Sequence, residues 1–186
     1  MELFEYLREK KRKADLMIHP FAHTEESFRR IYAFGIGVLS LGHMNSIEET
    51  GEKFRDFLQC IRLDASVYDE IIIEINHDFD YKINDVLRVL DNKQKQYGFC
   101  LDLYLISSDT HWASDYASQI IRYYMQAFHF SLKEQVFFQE FMRCAASHDS
   151  SSAATVYRNF LAQGHLISYQ LLTYAYPEFY LKEDYD

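Results

Sequence analysis

Proline and glycine are scarce: the 186 residues include 2 prolines and 6 glycines. A sheet sandwich with many tight turns needs more of both, so the shortage argues against a loop-rich β architecture and for helices. Cysteine is scarce too. Cys60, Cys100 and Cys144 lie far apart, each in an apolar segment, with no CxxC pair. That spacing excludes a paired-cysteine zinc site and reads as reduced, buried thiols, as expected of a cytoplasmic protein. The longest apolar run, Ile31–Leu41, is too short to cross a bilayer, and the N-terminus carries no apolar signal core. Also missing are a Ser–His–Asp signature, a phosphate-binding glycine loop and HExxH.

What the chain does have is apolar and aromatic bulk. Hydrophobic residues make up 48% and aromatic residues 17% of it, enough for one folded domain spanning residues 1–186 with a sizeable core. The net charge of −9 is unevenly spread. Residues 1–13 hold Arg8, Lys10, Lys11, Arg12 and Lys13 against Glu2, Glu5 and Glu9, leaving 14 basic and 25 acidic residues in the remainder. An acidic body disfavours nucleic acid as a partner. The basic stretch, with Leu3, Phe4 and Leu7 on its apolar face, is expected to touch an anionic membrane surface weakly at most. Charge runs of this kind usually serve solubility.

Periodicity and capping signals predict a bundle of about eight to ten helices. A basic first helix covers 2–17 and ends before His19–Pro20. A second runs over about Glu25–Leu41, where Gly35, Gly37 and Gly42 allow a neighbouring helix to approach closely. The capping boxes Ser46/Glu49 and Ser131/Glu134 open two more, the first continuing to Ile61 and the second covering Leu132–Ala146. Further helices are expected at Val67–Asn76, from about Asp80 to Gln96, at Phe99–Ile106, Ser114–Phe128, Ala153–Ala162 and His165–Ala175. An aromatic, acidic tail over 177–186 is expected to dock. Two segments are ambiguous, since Ile71–Ile75 and the alternating Leu101, Leu103 and Leu105 also fit strands. Paired, 71–75 and 99–106 would give an α/β alternative with a small sheet.

The chain also repeats a plan. Tyr97–Phe130 places a polar turn with Asp109, His111 and Asp115 between an apolar and an amphipathic segment. Ile31–Leu63 does the same around His43–Met44–Asn45–Ser46. If the two turns face each other, Asp109, His111 and Asp115 approach Asn45, Glu48 and Glu49. Carboxylates with an imidazole suit a divalent metal ion, the one cofactor the sequence suggests. The competing reading is that each acid answers only to the positive end of its own helix dipole.

These two stretches together resemble the tellurite-resistance TerB-like family, an all-helical fold of two similar halves, each with an acidic turn between helices. The resemblance covers about Ile31–His148. It implies two pseudo-repeated halves and a non-catalytic interaction or adaptor module of bacterial stress or defence systems. The family's Asp-Gly turn is replaced here by Asn45–Ser46 and Asp109–Thr110. A different pattern, arginine followed by histidine, occurs at Arg143…His148 and Arg158…His165 and resembles that of the helical HEPN ribonucleases. There the histidine would act as general acid or base, and the arginine would stabilise the phosphorane charge. Arg122…His129 fits equally well, which shows how readily the spacing arises. A third reading is an immunity-type protein whose acidic face covers a basic partner.

Overall fold

The computed structural model describes residues 18–41, 47–77, 79–107 and 116–179. The expected first helix over 2–17, the turns at 42–46 and 108–115, and the end of the tail from Tyr180 lie outside them. Within these residues the chain is all-helical, with nine helices and no strand. They are α1 (Glu26–Leu41), α2 (Ile47–Cys60), α3 (Val67–His77), α4 (Phe79–Val89), α5 (Lys93–Ser107), α6 (Tyr116–Ala127), α7 (Leu132–Ala146), α8 (Ser150–Ala162) and α9 (Tyr169–Ala175). Both segments that also fitted strands are helical, so the α/β alternative is excluded. Ile71–Ile75 belongs to α3 and Phe99–Ile106 to α5.

Two helices organise the rest. α1 packs against α2, α3, α4 and α5, while α5 packs against α1, α6, α7 and α9. Glycine makes the crowding around α1 possible. A Cβ on Gly35 would lie 2.8 Å from both Phe99 Cζ of α5 and Val86 Cγ1 of α4, and one on Gly37 would lie 3.0 Å from Ile71 and Phe54. α5 is buried from Tyr97 through Leu103, so it has no polar face in that stretch. One hydrophobic cluster runs from Tyr32 on α1 to Phe179 beyond α9.

Several boundaries differ from the sequence reading. The helix expected to run on to Gln96 stops at Val89, and α5 starts afresh at Lys93. The Asn92 side chain accepts the Lys95 N–H at 3.1 Å, capping the new helix. α8 begins at Ser150 because Asp149 accepts the Ser152 N–H. α9 starts at Tyr169, not at His165. Gly164 turns the chain at φ +83°, and Gln94 then holds the extended segment by donating to the Leu166 carbonyl and accepting the Ser168 N–H, each at 2.7 Å. The Ser131/Glu134 capping box is formed in full. Tyr176 and Phe179 are buried, so the described part of the tail docks. On α6, Tyr123 is exposed while its neighbour Tyr124 is buried.

Candidate functional site

Of the proposed metal ligands, Asn45, Asp109, His111 and Asp115 lie outside the described residues, while Glu48 and Glu49 sit in the first turn of α2. Among the described residues no group of three or more histidine, cysteine or carboxylate side chains could hold a metal ion. Here only the helix position of the two glutamates is established.

The arginine–histidine pairs lie at the two ends of the antiparallel α7–α8 hairpin. His148 sits in the turn before α8 with φ +54°, its Nδ1 3.0 Å from a carboxylate oxygen of Glu178. Arg143 is exposed and ion-paired to Glu140 at 2.5 Å, which raises its already high pKa. His165 follows α8 and stacks on Phe160 with ring centroids 4.7 Å apart, and Arg158 is exposed on α8. With 13 residues in α8, about 20 Å of helix separates the two histidines, so they form no composite site.

The most closely knit polar group is one that sequence reasoning missed. Asp102, midway along the apolar α5, is 1% exposed. A single carboxylate oxygen, Oδ2, accepts the Tyr32 hydroxyl of α1 at 2.5 Å and the ring Nε2–H of His19 at 2.8 Å. The tautomer follows from geometry: His19 Nδ1 accepts the Phe21 N–H at 3.0 Å, so the ring hydrogen is on Nε2. The rings of Phe21, Tyr32, Phe57 and Tyr174 surround that imidazole. Tyr174 of α9 interacts with the Cys60 thiol, and the His19 backbone N–H donates to the Cys60 carbonyl at 3.0 Å. The cluster thus joins the segment before α1 to α1, α2, α5 and α9. Burial, reinforced by Asp102, pushes the Tyr32 hydroxyl well above its ordinary pKa. Burial likewise raises Tyr174 and the thiols of Cys60, Cys100 and Cys144. None of these is an activated nucleophile, since a thiol or phenol reacts through its anion.

A second buried carboxylate staples α7 to α5. Glu134 Oε1 accepts the Tyr97 hydroxyl at 2.7 Å and pairs with Lys93 at 2.9 Å, while Oε2 accepts the Ser131 N–H at 2.7 Å. Burial raises the Glu134 pKa, but these donors outweigh it and hold the carboxyl down at about 2.

Two surface grooves lie among the described residues. One, of about 310 Å³, lies between α1, α3 and α4 over Phe34 and Ile71, but its rim cations are already paired, Lys82 with Glu74 at 2.5 Å and Arg30 with Glu70. The other, of about 200 Å³, lies between α7 and α8. Its floor is Phe137 and Phe160, stacked at 4.0 Å, with Val136 and Val156 at the sides. At the same end of the hairpin stand the exposed side chains of Leu132 (75%), Leu166 (73%) and Val136 (47%). Leu132 and Val136 are one helical turn apart on the same face of α7. Scattered exposed leucines are ordinary; here three exposed apolar side chains stand at one end of one hairpin, beside the groove.

No protein-family model matches the chain, and comparison with curated proteins and with solved structures likewise found no match. No helix among the described residues is long and apolar enough to cross a membrane.

Proposed function

We propose that the chain is a non-catalytic interaction module that docks a protein partner on the α7–α8 face, as a TerB-like adaptor of bacterial stress or defence systems would. The observation that carries this reading is the group of exposed Leu132, Val136 and Leu166 beside the groove floored by Phe137 and Phe160. Fully covering an exposed leucine is worth about 1.5–3 kcal/mol, so a partner that covers Leu132 and Leu166 gains from both, and less from the half-covered Val136. The chemistry of the interior supports the same reading. The buried carboxylates of Asp102 and Glu134 are engaged by internal donors, and burial keeps the three thiols protonated.

The test is affinity capture from the host with the wild type and with Val136→Glu, whose site is exposed and so tolerates the charge. The expected result is a protein retained by the wild type and lost by the variant. Equal retention by both, or cleavage of RNA by the purified chain that His148→Ala or His165→Ala abolishes, would overturn the proposal.

A further inference from the structure

We propose that the occupant of the α7–α8 face is a second copy of the chain, docked antiparallel about a twofold axis near Val136. This rests on reading that face as a docking surface and names its partner. A twofold interface must be self-complementary: where residue i meets residue j of the other copy, j must also meet i. α7 meets this condition. Lys133 and Glu140 stand two turns apart on either side of the exposed Val136, all three at the rim of the groove. Turning one α7 end for end over another brings each Lys133 to the other copy's Glu140 and packs valine near valine. Lys133 has no ion-pair partner among the described residues, and Glu140 has only the exposed, adjacent Arg143. The reach of the contact is limited. α7 has 15 residues, about 22 Å of helix, and one such face buries less than the roughly 800 Å² per partner of a standard interface. The dimer is therefore weak, salt-sensitive and concentration-dependent.

Sedimentation equilibrium on the full chain tests this. At low salt the wild type should pass from 22.2 kDa towards twice that mass as concentration rises. Lys133→Glu and Glu140→Lys should each weaken self-association on the order of tenfold, since either change sets like charges opposite each other at two symmetric positions. Mixing the two variants should restore association as a heterodimer, because one copy then supplies two carboxylates and the other two ammonium groups. The mixture also controls for misfolding, since unfolded variants would not recover. A wild type that stays at 22.2 kDa throughout, or a dimer indifferent to both substitutions, would overturn the inference. A monomer that still captures a different protein through Val136 would leave the docking reading standing and remove only the second copy.

Discussion

Replacing Asp102 by alanine strands two buried donors at once. The Tyr32 hydroxyl and the His19 Nε2–H both bond to Oδ2, and no solvent reaches them. Each orphaned group costs about 1–3 kcal/mol, and removing the buried carboxylate returns part of that by ending its desolvation penalty. The net expectation is a loss of about 3 kcal/mol, a large share of the 5–15 kcal/mol that holds a typical domain folded. Asparagine should be milder, at about 1 kcal/mol, because both donors use one oxygen and an amide oxygen in that position can still accept both. Urea unfolding followed by circular dichroism at 222 nm measures these differences. The double-mutant cycle sharpens the argument. Tyr32→Phe should destabilise the wild type, because it deletes a bond to the carboxylate. In an Asp102→Leu background it should be neutral or stabilising, because it then removes an orphan. An Asp102→Ala loss under about 1 kcal/mol, or strict additivity of Tyr32→Phe with Asp102→Leu, would show that the cluster does not act as a unit.

Two other perturbations test the packing and the second carboxylate. Gly35→Ala should destabilise by about 1–2 kcal/mol despite alanine's better helix propensity, since its Cβ meets Phe99 and Val86 at 2.8 Å; a stabilised variant in the same urea titration would contradict the tight α1–α4–α5 contact. Glu134 has a folded-state pKa of about 2, below the ordinary glutamate value of 4.5, so its contribution is complete above about pH 4.5 and is lost as pH falls through about 2. That contribution is about 2 kcal/mol, allowing for Lys93 standing half in solvent, and Glu134→Gln should flatten the acid limb of the stability profile in that window; an unchanged limb would refute the assignment.

The all-helical class was legible because its signals are local. Ser131 and Glu134 sit three residues apart, and their capping box forms as the pattern demands. The break between α4 and α5 was harder to see, because apolar residues continue across it from Val86 to Leu90 and resume at Tyr97. Only the side chain of Asn92 marks the restart. Phe99–Ile106 was ambiguous for a different reason: Tyr97 through Leu103 is buried on every side, so burial there no longer selects one face. The Asp102 cluster was illegible because its partners are remote in sequence, Tyr32 by 70 residues and His19 by 83. The one available cue was a single carboxylate in the apolar run Phe99–Ile106, since a charge placed there must find internal donors. The exposed apolar face of α7, proposed for docking, was hidden for the opposite reason. Leu132 and Val136 look like core residues until the inward positions of α7 are seen to be taken by Phe137, Phe138 and Phe141.

Site-specific photo-crosslinking in living cells tests the docking claim most directly. A benzophenone side chain placed at Val136, on the α7–α8 face, is compared with one at Gln119, exposed on α6. The account predicts a discrete protein adduct at position 136 and none of comparable yield at position 119. If the partner is a second copy, the adduct has twice the 22.2 kDa mass of the chain. No adduct at position 136, or equal and diffuse adducts at both positions, would contradict the claim that this face binds a protein.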